Sequence, residues 1–143
     1  MRYRESQMQF HDLLAKSAVE KTMKILNGKF PERLWLPPHV IDLHEDGYID
    51  PHIDSVKFSG DVVAGLSLLA SSTMRLAEAD ETTGDTIEGG TSFDFTLEPR
   101  SLYVLTGPAR FKFAHSIFGI SQRRVSVIFR DEKTELEFIK KRS

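Results

Sequence analysis

A chain of 143 residues, 40% apolar and 28% charged, has the size and composition of one globular domain that buries roughly 70% of the surface its unfolded form would expose. A net charge of −2 provides no general pull toward nucleic acid, and the absence of cysteine excludes disulfides and thiolate metal sites, so any metal must be held by imidazole and oxygen. No apolar run approaches the roughly 18 residues of a membrane span.

Near the N-terminus, Arg2 and Arg4 are interspersed with Glu5, Asp12 and Glu20, unlike an acid-poor transit peptide. Residues 5–27 are expected to form a helix that covers one face of a sheet. Phe10, Leu13, Leu14, Ala18, Thr22, Ile25 and Leu26 recur at three-to-four spacing, and Asn27-Gly28 is a stop signal. Prolines 31, 37 and 38 make the next stretch a connector around Leu34-Trp35-Leu36, with Trp35 a packing residue. His39 to Leu43, a turn at Asp46-Gly47 and the arm from Tyr48 to Phe58 are expected to form a hairpin. Strands follow at Val62 to Leu69 and Thr73 to Ala77, then a polar loop from Asp80 to Gly90. From Thr91 to Glu98, Phe93, Phe95 and Leu97 alternate with polar residues, so one face of that strand must be wet. Further strands are expected at Ser101 to Thr106, at Arg110 to His115 with Phe111, Phe113 and His115 on one face, and at Arg124 to Arg130. The charged tail from Asp131 to Ser143 reads as a frayed helix or solvated arm. Short strands in series with one leading helix describe a mainly β fold, a double-sheet jelly roll with an N-terminal helical buttress.

Within the expected hairpin, His52 and Asp54 stand two apart in an Ile/Val/Phe-rich context, and residues i and i+2 of a strand share a face. The pair His44 and Asp46 has the same spacing but runs into Gly47 at a turn, where polarity needs no function. His115, on the inward pattern of a later strand, is the candidate third ligand; taken alone, it is more often a satisfied core histidine. Arg124 and Arg130 are six apart on one strand, so both guanidinium groups project from one face with Ser126 and Ile128. Long cations on a half-buried strand are costly unless paired. Two bidentate donors beside two histidines and one carboxylate suit a small dicarboxylate. Such a facial triad is diagnostic of oxygen-activating non-haem iron.

The order His52-Ile53-Asp54, His115, Arg124 and Arg130 resembles the iron- and 2-oxoglutarate-dependent dioxygenases of the AlkB family, whose closing strand carries two arginines six apart. The runs Gly47 to Phe58, Ala64 to Leu69, Ser101 to Leu105 and Arg124 to Ile128 are similar, more narrowly, to its mitochondrial branch numbered seven in animals. The resemblance extends from about Tyr3 to Arg130. It implies that His52, Asp54 and His115 bind Fe(II), that Arg130 faces the iron-proximal carboxylate of 2-oxoglutarate, and that Arg124 with Tyr103 holds the distal one. By sequence alone, Tyr103 is an inward tyrosine whose hydroxyl needs a partner. The implied reaction consumes dioxygen and 2-oxoglutarate, releases succinate and carbon dioxide, and hydroxylates a carbon of a second substrate; at an N-methyl carbon the product loses formaldehyde. The implied setting is the mitochondrial matrix, with a protein or metabolite substrate, no membrane insertion, and links to fatty-acid metabolism and programmed necrosis. Demethylation of mitochondrial RNA and a non-catalytic jelly-roll module with a vestigial metal site are the competing readings. Against the family pattern, residues 1–143 are expected to form a single domain without its N-terminal part, and Ser116 to Arg123 is short.

Overall fold

The computed structural model describes residues 3–7 and 13–133, which form two antiparallel sheets and a helix packed on one of them. The strand β1 (Tyr3–Gln7) is followed by α1 (Leu13–Lys29), β2 (His39–Leu43), β3 (Ile49–His52), β4 (Val63–Leu68) and β5 (Ser72–Glu78). Then come β6 (Ser92–Leu97), β7 (Ser101–Leu105), the single turn α2 (Pro108–Phe111), β8 (Phe113–Ile117) and β9 (Arg124–Arg130). Among the described residues one sheet has the order β1-β2-β9-β4-β7 and the other β3-β8-β5-β6. This is the expected double-sheet jelly roll with its helical buttress.

Alternation along the strands builds two cores. The inner one, between the sheets, takes Ile41 and Leu43 of β2, Val63 of β4, Met74 and Leu76 of β5, Leu105 of β7, Ile117 of β8 and Ile128 of β9. The outer one, between α1 and the five-stranded sheet, takes the intervening residues: Ala64 and Leu66, Val127 and Phe129, with Leu102 and Val104 against them. From the helix come Val19 and Leu26, both buried, while Ile25 is half exposed, so the buried stripe is rotated slightly from the expected one. Thr22 sits within that stripe because its hydroxyl donates to the Ala18 carbonyl at 2.8 Å, which satisfies it inside the helix. Trp35 packs on the same core, as expected of the connector.

Several expected elements differ. Residues 5–7 belong to β1, paired with β2, and α1 begins only at Leu13; the rest of the expected helix start lies outside the described residues. His39–Leu43 and the following arm do not form a hairpin, since β2 pairs with β1 and β9 whereas β3 pairs with β8 in the other sheet. The turn between them, with Asp46 at φ 64°, carries the chain across the layers instead of back on itself, and Asp46 and Gly47 are tied to Ile120 by backbone hydrogen bonds of 2.8 and 3.1 Å. Arg110 and Phe111 lie in α2, where Pro108 pre-sets the first turn, so only Phe113 and His115 share a strand face. Strand β6 is wet on both faces: Phe93 and Phe95 are 52% and 42% exposed, and only Leu97 is buried. Asp131 is fully buried instead of opening a solvated arm. Its Oδ1 accepts from Val62 N–H at 2.8 Å and its Oδ2 from Asp61 N–H at 3.1 Å and Arg33 Nη1 at 3.3 Å, a set of partners that offsets the cost of burying a carboxylate. The tail beyond residue 133 lies outside the described residues.

Candidate active site

Strand β3 ends at His52, so Asp54 is not on the strand with it but two residues beyond, in the chain leaving the sheet. His52 is the direct cross-strand partner of His115 on β8. That register sets their rings side by side, with centroids 4.2 Å apart and planes inclined at 53°. One ligand atom from each of His52, Asp54 and His115 lies within 4.8 Å of the others, close enough to share an ion. Asp54 Oδ1 stands 3.2 Å from His52 Nε2 and 3.9 Å from His115 Nε2, while Oδ2 accepts from Arg130 Nε at 2.7 Å. One carboxylate oxygen is thus turned to the imidazoles and the other is held by a cation of the opposite sheet.

Electrostatics favour a metal-ready set. The Asp50 carbonyl, 2.9 Å from His52 Nδ1, can only accept, so Nδ1 donates to it and Nε2 is turned toward Asp54 and the centre. Burial, reinforced by the charge of His52, lowers the His115 pKa to about 4, so this ring is neutral at neutral pH. Burial pushes the Asp54 carboxyl up, but the His52 hydrogen bond and the Arg130 charge outweigh it and hold the group ionised, well below the usual carboxylate range. Two imidazoles and one anionic oxygen are the donor set of a facial-triad iron site, and the residues present fit that metal.

Across the cavity stands β9, whose inward residues Arg124, Ser126, Ile128 and Arg130 follow the expected alternation and line the same space as the two histidines, Asp54 and Tyr103. Arg124 is buried, with Nε donating to Ser67 Oγ at 3.2 Å, and its Nη2 has no hydrogen-bond partner among the described residues; nor has Ser126 Oγ, two positions along the strand. Such groups are costly to leave unmatched, and an anion of matching shape is what they lack. Tyr103 lies directly across from Gly65, where any side chain would overlap its ring. Burial raises the Tyr103 pKa to about 12, so its hydroxyl stays a donor. The space among these groups is about 30 Å³. His44 and Asp46 are exposed in the turn after β2, as expected of a solvated loop.

Two supporting groups escaped the sequence reading. Arg110 is buried and donates to the Asp54 carbonyl at 2.8 Å, the Gly60 carbonyl at 3.1 Å, the Ser55 carbonyl at 3.2 Å and Ser59 Oγ at 3.0 Å. It pins the irregular segment that carries Asp54. Its signal was Gly107-Pro108, which reads as a helix start as readily as a turn. Asp131 anchors the far end of that segment at residues 60–62, and Gly60 leaves room for its carboxylate.

No family model matches the chain. The Bos taurus protein named alpha-ketoglutarate-dependent dioxygenase alkB homolog 7, mitochondrial, is 47% identical over 103 residues, 64% of this chain and 43% of that protein. The Mus musculus protein of the same name is 44% identical over 110 residues, 69% of this chain and 47% of its own length. The chain therefore spans about half the length of the curated relatives it matches. Among solved structures, a Pseudomonas putida prolyl-4-hydroxylase superposes with a TM-score of 0.62 over 92% of this chain and 71% of that one, at 14% identity, a likeness of fold alone. Over about two thirds of its length, this chain is homologous to the AlkB-family dioxygenases named alkB homolog 7.

Proposed function

We propose that the chain is the catalytic region of an Fe(II)- and 2-oxoglutarate-dependent dioxygenase that hydroxylates or demethylates a protein or metabolite in mitochondria. The observation that carries this reading is the juxtaposition of His52, Asp54 and His115 with the partnerless Nη2 of buried Arg124 across one cavity. Iron bound by the first three would supply the redox chemistry that couples oxidation of 2-oxoglutarate by dioxygen, to succinate and carbon dioxide, with insertion of the second oxygen atom into a C–H bond. His52 Nε2, His115 and Asp54 Oδ1 would hold the metal. Arg130 keeps Asp54 to a single donor oxygen and stands at the metal end of the cosubstrate. Arg124 and the Tyr103 hydroxyl take the distal carboxylate, with Ser126 Oγ between the two arginines on the same strand face. The mitochondrial setting is supported by the relatives' names.

The test has two readouts. Under anaerobic conditions Fe(II) and 2-oxoglutarate together are expected to give a visible charge-transfer absorption that neither gives alone, and in air the protein is expected to release succinate. His52→Ala should abolish both. Equal succinate release by wild type and His52→Ala would overturn the iron assignment, and absence of both signals in the wild type would leave a non-catalytic module.

A further inference from the structure

Strand β6 has an arrangement that the reaction at the metal centre does not account for. It lies at the end of the four-stranded sheet, and among the described residues no strand pairs with its other side. Its six residues pair with β5 in unbroken register, and the sequence Ser92-Phe93-Asp94-Phe95-Thr96-Leu97 has no proline, lysine or bulge of the kind that blunts exposed edges. Such an edge offers a row of backbone groups that another extended backbone can satisfy.

Its apolar face points toward the reaction centre. Phe93 pairs with Leu76, Leu76 with His115, and His115 with His52, so Phe93 stands in the same cross-strand row as the two histidines. At about 4.8 Å per strand it is roughly 10 Å from the backbone of His115. Phe113, two residues before His115, meets Phe93 with ring centroids 6.1 Å apart, and Phe95 continues the strip. The exposed loop leading into β6 carries Asp80, Glu81, Asp85 and Glu88, and no lysine or arginine occurs between residues 76 and 99. This field repels a phosphate backbone and attracts lysine and arginine. It also disfavours a second copy of the chain, whose loop before β6 carries the same acidic residues.

We infer that the edge and inner face of β6 dock an extended polypeptide segment with alternating basic and apolar side chains, flanking the residue presented to His52, Asp54 and His115. Phe93 and Phe95 receive its apolar side chains, and the loop carrying Asp85 and Glu88 receives its basic ones. The inference rests on the dioxygenase reading for what is done to the substrate, but docking itself needs no iron.

Docking is measured by fluorescence anisotropy with three labelled probes: a peptide of alternating lysine and valine, its glutamate-for-lysine counterpart and a single-stranded oligouridine. The lysine peptide is expected to bind metal-free wild type and His52→Ala equally, and the other two at least about tenfold more weakly, which corresponds to about 1.4 kcal/mol. Phe93→Ser, at an exposed position, should weaken it by about tenfold or more, and the double variant Asp85→Lys/Glu88→Lys should reverse the preference between the two peptides. Tighter binding of oligouridine, no preference between the peptides, or a dimer in sedimentation that Phe93→Ser dissolves would each overturn the proposal. Succinate release that fails while docking persists would sink the dioxygenase reading alone.

Discussion

The two imidazoles of the centre titrate on opposite sides of an ordinary histidine. Burial lowers His115 to about 4. At His52 burial also works against the proton, but the Asp54 hydrogen bond, the Asp50 carbonyl and the Asp54 charge together raise the pKa. An incoming cation therefore competes with a proton more strongly at His52 than at His115. The same difference governs stability. Between about pH 6.5 and 4 the unfolded chain takes up a proton at His115 that the folded one refuses, so stability falls as the solution is acidified through that window. The contribution of His52 is full below about 6.5 and is lost as pH rises through its raised value. Metal-free wild type is thus expected to lose on the order of 2 to 3 kcal/mol from His115 alone across the acid window. His115→Gln should flatten this limb in urea midpoints taken at about pH 7 and pH 4.5, and parallel losses in the two proteins would contradict the assignment. Across the cavity, Arg124→Lys keeps the charge but not the fork whose Nη2 has no partner among the described residues, the group proposed to meet the diacid. It should raise the 2-oxoglutarate Kd by roughly tenfold to a hundredfold, the worth of one charge-assisted hydrogen bond, with Mn(II) affinity unchanged in the same titration.

Among the elements, β4 and β7 meet where Gly65 lies under the Tyr103 ring. Gly65→Ala would force that ring inward, and is expected to cost about 1 to 3 kcal/mol in unfolding by urea and to weaken 2-oxoglutarate without weakening Mn(II). An unchanged cosubstrate affinity would remove Tyr103 from that role. The strands also show what a sequence can and cannot convey. The inward set Arg124, Ser126, Ile128 and Arg130 was legible because the period of two is local to a strand. The partner of a strand is not local: the Asp46-Gly47 signal fits a hairpin as well as it fits a crossing between layers, and the two are told apart only by pairings with distant strands, β2 with β9 and β3 with β8. For β6 the alternation was legible, but not that its phenylalanines lack a cover. Asp54 was placed beside His52 for the wrong reason, since the strand stops first and Arg110, a residue read as part of a strand, brings the carboxylate back.

Taken as a whole, the molecule divides its chemistry between its layers. His52 and His115 belong to the four-stranded sheet, with Asp54 just beyond β3, whereas Arg124, Arg130 and Tyr103 belong to the five-stranded one. A metal ion alone ties together one side of the cavity; the diacid would join it to the other. Unfolding midpoints should therefore rise with Mn(II) and rise again with 2-oxoglutarate, by about 2.7 kcal/mol when the diacid is at a hundred times its Kd. The second increment should be lost in His52→Ala if the metal anchors the diacid.

The Arg130–Asp54 pair, 2.7 Å long, crosses between these layers. If one sheet slides over the other, His52 and His115 keep their spacing, because they are register partners in one sheet, whereas Asp54, held from the opposite sheet by Arg130, shifts relative to them. Shear then acts on the carboxylate. A partner or a hydrostatic pressure that displaces the layers would change where Asp54 stands against the imidazoles while leaving the histidine pair as it was.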